Sequence, residues 1–497
     1  MKKKKVHILS LGCPKNLVDS EVMAALLTSR GYRITKSPQE AHILIINTCA
    51  FILPAKEEAI ESILLMAEYK RTGACSYLIA TGCLPQRYGL DLAPTLPEVD
   101  LFLGTAEVPN IADHLDKLGT EMPLKNALSR HSGLYHEAGN GLKILDSGFR
   151  RNDGRAPEQK LFKGLSMAGG DGRVKVGKPT FLMRAAQTRL LMTPAYSAYL
   201  KIAEGCSNRC AYCIIPDIRG RARSRPPADI LTEAQALAGQ GVKELIVIAQ
   251  DTTAYGFDLR SRPKLTNLLS ELAAVDGISW IRLLYAYPTK ITPELIRCLE
   301  GEKKICSYLD MPIQHIDDDI LKAMHRHGDS RGLREVIRMV RDSGPGIAIR
   351  TSLIVGFPGE TRRKFDRLAD FVREMRFDHL GVFTYSREEG TAAASFPSRI
   401  SEAEKNRRRD VLMEEQASIS FGLLQQKVGA LEEVLIEGKS DLPDYPFLGR
   451  NSRQAPEIDG VTYVRGKRLK PGQIIPVRIQ AANEYDLFAE RIEGLDP

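Results

Sequence analysis

The sequence AYLKIAEGCSNRCAYCIIP, residues 198–216, joins a strand-like apolar run to a loop with three cysteines. They are spaced C-x3-C-x2-C, at Cys206, Cys210 and Cys213. A structural zinc site needs four thiolate or imidazole ligands, so this loop leaves one position open. Three thiolates can instead hold three irons of a 4Fe-4S cluster and leave the fourth iron free for a small molecule. The stretch therefore indicates an iron-sulfur site, with a zinc knuckle completed by a remote ligand as the alternative.

Six strand-like runs, separated by helical stretches, follow one another from this point. Such alternation predicts parallel strands in an incomplete or full TIM-like barrel, whose active site lies at the carboxyl ends of the strands. The cysteine loop follows the first run, as this rule requires. The runs are AYLKIAE, KELIVIAQD, IRLLYAYP, SYLDMPIQ, AIRTSLIVGFP and HLGVFTYS. By position alone, five strand-end residues are expected to line the pocket: Gln250, Asp251, Tyr287, Gln314 and Tyr385.

The N-terminal segment repeats a simpler pattern, in which an apolar run ends in a cysteine. KVHILSLGC, AHILIINTC and CSYLIATGC are separated by helical stretches, which predicts parallel strands of an open α/β domain over residues 1–118. Ligands gather at the carboxyl ends of strands in such a sheet. Cys13, Cys49 and Cys83 are therefore expected at one common edge.

The remaining segments differ in composition. Residues 119–190 are rich in glycine and hold 13 Lys and Arg against 6 Asp and Glu, so they are interpreted as a linker or insertion. Because this segment supplies most of the net charge of +8, that charge is weak evidence for RNA binding. The barrel domain is predicted over residues 191–427. Short strands with turns predict a small antiparallel β-barrel over residues 428–497.

The sequence favours a cytoplasmic protein without a membrane segment. The N-terminus has no secretory apolar region, and no apolar stretch reaches the roughly 18 residues that a spanning helix needs. Its nine cysteines are therefore better interpreted as metal ligands or core thiols than as disulfides. Cys75, Cys298 and Cys306 match no ligand motif and are expected to be packing residues.

With the aromatic Tyr212 before its third cysteine, the loop resembles that of the radical S-adenosylmethionine superfamily. SLIVGFPGE is similar to the superfamily's cofactor segment G-x-I-x-G-x3-E, with Ile354, Gly356 and Glu360 in register and Ser352 replacing the first glycine. The resemblance implies that S-adenosylmethionine binds the open iron and is cleaved reductively to a deoxyadenosyl radical. It also implies that Tyr212 lies near the adenine and that the other three residues bind the cofactor. The alternative for this segment is a buried strand followed by a turn.

LGCPKNLVDSE, INTCAFI and TGCLPQRY resemble the N-terminal domain of the methylthiotransferase family. This resemblance implies that Cys13, Cys49 and Cys83 hold a second 4Fe-4S cluster and that the C-terminal barrel is a TRAM domain. In the family's scheme the second cluster holds sulfide. One S-adenosylmethionine methylates that sulfide, a second generates the radical, and the substrate radical collects the methylthio group. A sulfur source and an electron donor are therefore implied as partners.

Two subclasses of that family differ in substrate. The stretches TPAYSAYLKIAEGC, CIIPDIRGRARSRP, AQDTTAYG, YLDMPIQH and APEIDGVTYV resemble the enzymes that modify an aspartate of small-subunit ribosomal protein S12, which implies that substrate and ribosome association. Residues 428–490 hold 8 Lys and Arg against 10 Asp and Glu, which suits a basic protein better than a phosphate backbone. The alternatives are a tRNA adenosine methylthiotransferase and a non-catalytic iron-sulfur electron carrier or RNA-binding module.

Overall fold

The computed structural model describes residues 4–121, 172–343, 346–397 and 400–494. The chain divides into two compact units. The N-terminal unit comprises residues up to 181 together with 187–190 and 217–219, and the C-terminal unit comprises 182–186, 191–216 and the residues from 220 onward. Among the helices of the described residues, none combines the length and the hydropathy needed to cross a bilayer.

The N-terminal unit is built on one parallel sheet of six strands in the order β2-β1-β3-β4-β5-β6. The strands are β1 (Lys5–Ser10), β2 (Arg33–Ile34), β3 (Ile43–Thr48), β4 (Tyr77–Gly82), β5 (Leu101–Leu103) and β6 (Val174–Lys175). Its helices are α1 (Pro14–Ser29), α2 (Leu53–Ala67), α3 (Tyr69–Thr72), α4 (Cys83–Leu92) and α5 (Ile111–Glu121). The three predicted strands are β1, β3 and β4. Every residue of β3 and β4 is buried, which explains their continuous apolar runs.

The predicted linker of residues 119–190 falls largely outside the described residues, which stop at 121 and resume at 172. Its described end contributes β6, which pairs in parallel with β5 through hydrogen bonds of 2.8 and 2.9 Å. The sheet therefore extends into the predicted linker. A strand of two residues shows no periodicity, so its sequence gives no sign of it.

The C-terminal unit contains the six predicted barrel strands, arranged as two parallel sheets of three in the orders β11-β10-β7 and β12-β13-β14. The first sheet contains β7 (Ser197–Lys201), β10 (Glu244–Ile248) and β11 (Trp280–Leu283), and a short ladder pairs β8 (Ala203–Glu204) with β9 (Arg223–Ser224). The second sheet contains β12 (Tyr308–Asp310), β13 (Ala348–Val355) and β14 (His379–Thr384). An isolated parallel bridge between Ile281 and Ile305 extends the first sheet towards the second. The barrel is therefore a partial one.

Helices alternate with these strands and cover them with apolar side chains. They are α7 (Pro227–Gly239), α8 (Leu265–Ala273), α9 (Pro293–Gly301), α10 (Asp318–Ala323), α11 (Ser330–Asp342), α12 (Arg362–Met375) and α13 (Glu402–Gln425). The short helix α6 (Ile215–Arg219) precedes them, and its residues 217–219 belong to the N-terminal unit. Leu200, Val247, Leu283, Leu309 and Leu353 are fully buried, one from each of five strands. Burying each such side chain contributes about 1.5–3 kcal/mol, so this core fixes the strand ends that carry the site.

Residues 428–492 form a closed five-stranded barrel in the order β15-β16-β17-β19-β18. Its strands are β15 (Leu431–Lys439), β16 (Phe447–Asn451), β17 (Thr462–Arg465), β18 (Ile474–Ala482) and β19 (Leu487–Arg491). The small barrel is confirmed. Its pairs are antiparallel except for β17 and β19, which run in parallel. The sequence did not indicate β16, because FLGRN has little alternation and a central glycine.

Candidate iron-sulfur and cofactor sites

The cysteines of the N-terminal triad, Cys13, Cys49 and Cys83, lie at the carboxyl ends of adjacent strands, as predicted. Cys13 precedes α1, Cys49 follows β3, and Cys83 is the first residue of α4. Gly12 shows how closely two of these loops approach, because a Cβ at Gly12 would lie 2.5 Å from the Cys49 Cβ and 3.0 Å from its Sγ. Gly12 also has a φ of +82°, a conformation that L side chains rarely adopt. The site therefore requires glycine there.

The N-terminal thiols act on one another electrostatically. Burial raises the pKa of Cys49 to about 12, and the neighbouring Cys83 and Cys13 contribute to the rise. Burial also raises the pKa of Cys83, with Cys13 contributing and Arg219 opposing. Thiolates this close are stable only beside positive charge, and an iron-sulfur core supplies it. Three clustered thiols therefore fit a 4Fe-4S cluster with one iron left open.

A buried asparagine pair holds the loops of the N-terminal triad in place. Asn16 donates to the carbonyls of Leu11 and Thr48 at 3.1 and 2.9 Å. Asn47 donates to the Asn16 carbonyl at 2.8 Å and to the Ser20 hydroxyl at 2.9 Å. These bonds connect the ends of β1 and β3 to α1. Sequence reasoning missed both asparagines, since polar residues after a strand are common in loops.

Arg219, the last residue of α6, belongs to the N-terminal unit and contacts its triad. Its guanidinium donates to the Asp19 carboxylate at 2.6 Å, to the Asn16 side-chain oxygen, and to the Cys83 Sγ at 3.6 Å. Arg219 and Asp19 are both almost fully buried. The guanidinium thus places a paired positive charge beside one ligand thiol. The signal was the arginine within CIIPDIRG, but the sequence does not show where that arginine points.

The loop triad, Cys206, Cys210 and Cys213, lies after β8 in a tightly held turn of the C-terminal unit. The Cys206 amide donates to the Gly220 carbonyl at 3.0 Å, and the Ala211 amide donates to the Met324 carbonyl at 2.9 Å. Gly205 has a φ of +76°, and a Cβ there would lie 2.3 Å from the Arg221 carbonyl oxygen. Backbone contacts therefore fix the loop against segments far away in the sequence.

The loop thiols are half-buried and lie close enough to act on one another electrostatically, as the N-terminal thiols do. Burial raises the pKa of Cys213 to about 12, with contributions from Cys210 and Cys206. Burial is also the main cause that raises the pKa of Cys206, and Asp251 and Cys210 add to it. The donor set again fits an iron-sulfur core. Among the described residues, no group of three or more His, Cys, Asp or Glu is arranged to hold a metal ion; the thiols of a 4Fe-4S cluster each bind a different iron.

Two of the predicted pocket residues lie after β10 and are engaged by neighbours. The Asp251 carboxylate accepts from the Asn208 side chain at 2.7 Å and from the Lys290 Nζ at 2.6 Å. Gln250 donates to the Glu204 carboxylate at 2.8 Å. Asp251 therefore connects the loop of the loop triad to the end of β10, since Asn208 lies between the first two cysteines of that loop.

Tyr287 and Gln314 extend the set of residues at the strand ends. The Tyr287 hydroxyl accepts from the His327 amide at 3.1 Å. Gln314 has a φ of +76°, uncommon for a residue with a side chain, and its backbone bonds to Ser352 and Ile354 of β13 at 2.8 Å. Such backbone strain is often found at functional sites.

The structure separates the four predicted cofactor residues into two pairs. Tyr212 and Ile354 pack against the same apolar cluster, which includes Ala211, Phe357 and Tyr385. An apolar surface with an aromatic ring suits an adenine, and the binding of the cofactor by these two residues stays a prediction. The other two residues of the segment hold its turn.

The Gly356 amide donates to the Glu360 carboxylate at 2.9 Å, and Arg408 donates to the same carboxylate at 2.5 Å. Gly356 has a φ of +77°, and a Cβ there would lie 2.3 Å from the Lys405 Cγ. Glu360 is thus buried and satisfied within the protein, so it shapes the turn. Its predicted role as a residue that binds the cofactor directly stays a prediction.

Two of the predicted pocket residues carry buried polar atoms that could bond to a polar ligand. The Gln250 Oε1 and the Tyr385 hydroxyl are buried and have no hydrogen-bond partner among the described residues. Leaving such an atom unsatisfied costs about 1–3 kcal/mol. Both residues were predicted to line the pocket, and a ligand with polar groups, such as S-adenosylmethionine, would satisfy them.

Three family models match the chain. The model of the uncharacterized protein family UPF0004 matches residues 5–104, the Radical SAM superfamily model residues 200–372, and the TRAM domain model residues 428–492. Among solved structures, the radical S-adenosylmethionine methyltransferase TsrM from Kitasatospora setae, with cobalamin and a [4Fe-4S] cluster bound, covers 87% of this chain and 77% of its own, at 14% identity and a TM-score of 0.49.

Curated relatives match along the entire chain. The ribosomal protein uS12 methylthiotransferase RimO of Syntrophus aciditrophicus is 55% identical and covers 100% of both chains. The RimO of Geobacter sulfurreducens is 46% identical and covers 99% of both chains. Identity at this level over both complete lengths shows common membership, and the chain therefore belongs to the RimO family of radical S-adenosylmethionine methylthiotransferases.

Proposed function

We propose that this chain transfers a methylthio group to the β-carbon of an aspartate of ribosomal protein uS12. The observation that carries the proposal is the presence of two sites with three thiols, one in each unit. Three thiols can bind three of the four irons of a cluster, so each site would leave one iron open. The relatives named as uS12 methylthiotransferases support the choice of substrate. Two 4Fe-4S clusters and S-adenosylmethionine are the proposed cofactors.

The reaction needs a radical because no protein base removes an unactivated Cβ–H proton near neutral pH. Bound at the loop triad, the cluster and S-adenosylmethionine supply the hydrogen-abstracting radical. The chain's own residues hold the cofactor: Tyr212 and Ile354 offer an apolar surface, while the Gln250 Oε1 and the Tyr385 hydroxyl accept or donate to its polar groups. Gly356 and Glu360 keep the turn beside Ile354 in shape.

The N-terminal triad is proposed to hold the sulfur that is transferred. Its thiols would bind three irons, and the Asn16 and Asn47 network would keep the three loops in register. Arg219 would support Cys83 by donating to its Sγ. Separate sites explain how one chain can both activate a C–H bond and deliver a sulfur-containing group.

The small C-terminal barrel bears on the choice between protein and RNA. Residues 428–490 carry a balance of 8 basic against 10 acidic residues, which favours a basic protein partner. We therefore propose uS12 as the substrate, ribosome association, a cytoplasmic location, and dependence on an electron donor and a sulfur source. Methylthiolation of a tRNA adenosine is the second candidate function, since it uses the same chemistry.

The experiment that separates these candidates offers both substrates to the same enzyme. The anaerobically reconstituted protein is incubated with S-adenosylmethionine, dithionite and sulfide, and with either purified uS12 or tRNA. Mass spectrometry should find a methylthio gain on one aspartate of uS12 and none on tRNA. Cys298→Ala, which changes a cysteine outside both triads, should retain this activity. Modification of tRNA alone would contradict the assignment.

The electron-carrier alternative makes a different prediction in the same assay. A carrier would hold reduced clusters without cleaving S-adenosylmethionine, and it usually saturates its irons with four protein ligands. Formation of 5'-deoxyadenosine under reduction is expected for the enzyme. A protein with full iron content that forms none would restore the carrier interpretation.

A further inference from the structure

Arg326 lies three residues after α10 and is directed at the loop triad. Its Nη1 lies 3.9 Å from the Cys210 Sγ, and its Nη2 donates to the Pro312 carbonyl. The guanidinium carbon lies 4.0 Å from the centroid of the Tyr287 ring. His325, the preceding residue, has a φ of +54°, so the backbone bends just before the arginine. Three contacts therefore hold a partly buried guanidinium at one ligand thiol.

The charge of Arg326 has no acidic partner within the described part of the chain. Its neighbours there are a thiol, a carbonyl and an aromatic ring, and it forms no ion pair with a carboxylate. At the N-terminal triad the comparable guanidinium, that of Arg219, is paired with Asp19 at 2.6 Å. A cation removed from water needs a compensating negative charge. Among the groups that Arg326 is seen to contact, Cys210 is the one that can supply that charge, as a ligated thiolate.

We propose that Arg326 is a positioning residue of the radical-forming cluster and raises its reduction potential. One-electron reduction adds a negative charge to a cluster, and a neighbouring guanidinium stabilises the reduced form more than the oxidised form. A hydrogen bond to a ligand sulfur acts in the same direction. Arg326 thereby eases the electron transfer that precedes cleavage of S-adenosylmethionine. The inference rests on the proposed function, because it requires a cluster on Cys206, Cys210 and Cys213.

The test is a redox titration of the full-length reconstituted protein with dithionite as the one-electron reductant. The reduced cluster is followed by electron paramagnetic resonance and identified by the change that S-adenosylmethionine causes in its spectrum. In Arg326→Gln the ratio of reduced to oxidised cluster at a fixed potential should fall about tenfold, a shift of about 59 mV to more negative potential for one electron. Arg326→Lys keeps the charge but loses the planar fork, so its shift should be smaller.

Arg331→Gln is the matched control, because Arg331 is exposed and paired with Glu335 at 2.8 Å. It should leave the potential unchanged. The titration is repeated in the full-length chain in which Cys13, Cys49 and Cys83 are replaced by alanine, so that the second cluster does not contribute to the signal.

The outcomes separate this inference from the proposed function. Arg326→Gln with full iron content and the potential of the unchanged protein would overturn the role of Arg326 and leave the function standing. If Arg326→Gln fails to retain its cluster, a second neutral variant, Arg326→Met, decides, and an unchanged potential in that variant overturns the inference. A merely structural role would lower iron content or thermal stability without moving the potential. If the protein without substitutions binds no cluster at the loop triad, that result would contradict the proposed function itself.

Discussion

The two cysteine triads share a ligand chemistry but are assigned different tasks. Each consists of three buried or half-buried thiols at strand ends, with a guanidinium at one of them: Arg219 at Cys83 and Arg326 at Cys210. The guanidinium at the N-terminal triad is paired with a carboxylate, whereas that at the loop triad has no carboxylate partner among the residues that the structure describes. Residues that contact a ligand, and not only the ligands, therefore distinguish the two sites.

Divided tasks predict that the cysteines can be inactivated separately. Cys213→Ala should abolish 5'-deoxyadenosine formation and with it the methylthiolated product, because the radical would no longer form. Cys13→Ala should abolish the product while part of the deoxyadenosine formation remains. Chromatography of deoxyadenosine and mass spectrometry of uS12 measure the two outcomes. Loss of deoxyadenosine in Cys13→Ala would argue against divided tasks.

Gly12 gives a second prediction, on iron content. Gly12→Ala should lose the N-terminal cluster and about half of the iron, because its Cβ would lie 2.5 Å from the Cys49 Cβ. Gly31→Ala is a matched control: its φ of +91° imposes a similar strain of about 1–2 kcal/mol, but nothing lies within 4 Å of the added Cβ. Iron analysis compares them. Equal iron in both variants would show that the contact with Cys49 is unimportant.

The sequence predicts the six ligand cysteines but not the residues that contact them. The six cysteines could be predicted as ligands because their spacing and their positions after apolar runs are local signals. Asn16, Arg219 and Arg326 could not, since their contacts join positions far apart: Arg219 reaches Cys83 across 136 residues and Arg326 reaches Cys210 across 116. Such contacts depend on how the elements pack, which local patterns do not encode.

At the level of elements, long regular strands were predictable and short or irregular ones were not. The strands β3, β4 and β10 are continuously buried, and their apolar runs show it. β6 has two residues and β16 contains a glycine, so neither gives a pattern. The segment SLIVGFPGE, with its continuous apolar run, could be predicted as a strand followed by a turn. The sequence could not show that side chains of α13 contact this turn.

The contact between α13 and the turn predicts that two adjacent arginines differ. Arg408 is buried and donates to Glu360 at 2.5 Å, whereas Arg407 is about half exposed and pairs with Glu404. Arg408→Ala should destabilise the protein by about 3 kcal/mol and weaken S-adenosylmethionine binding, because it leaves the Glu360 charge buried without its partner. Arg407→Ala should change stability by less than about 1 kcal/mol.

Thermal unfolding and equilibrium binding of S-adenosylmethionine, both measured on the reconstituted protein, compare the two arginines. Iron content should stay unchanged in both variants, since Arg407 and Arg408 bond to glutamates and not to any of the six triad cysteines within the described residues. Equal binding by Arg408→Ala and the unchanged protein would show that the turn does not depend on α13.

At the scale of the molecule, a buried ionic cluster connects the C-terminal barrel to the partial barrel within one unit. Glu244 of β10 accepts from Arg282 of β11 at 3.0 Å and from Arg450 of β16 at 2.7 Å. All three residues are almost completely buried. Part of the charge of the C-terminal barrel is thus structural. Arg450 is counted among its basic residues, but it is buried in ion pairs and is not available to bind a partner.

This cluster predicts a particular dependence of stability on pH. Burial alone raises the pKa of Glu244, but Arg450 and Arg282 outweigh it and lower that pKa from 4.5 to about 2. A carboxyl whose pKa is lower in the folded state stabilises the protein fully above its unfolded pKa, and this contribution is lost as pH falls towards the folded pKa. Glu244→Gln should therefore cost about 3–5 kcal/mol at pH 7, where it leaves Arg282 buried without a carboxylate partner in the described part of the chain and Arg450 paired with Glu437 alone, and less below pH 4.

The single tryptophan, Trp280, makes the junction directly observable. It is buried in β11 and pairs with Glu244 in the register of β10 and β11. Urea unfolding followed by Trp280 fluorescence should therefore show the difference between Glu244→Gln and the unchanged protein shrinking between pH 4.5 and pH 2, the range between the two pKa values. Glu335→Gln, which removes an exposed carboxylate paired with Arg331, should show little difference at any pH. A constant difference for Glu244→Gln across that range would mean that the ionic pairing of Glu244 does not connect the two barrels energetically.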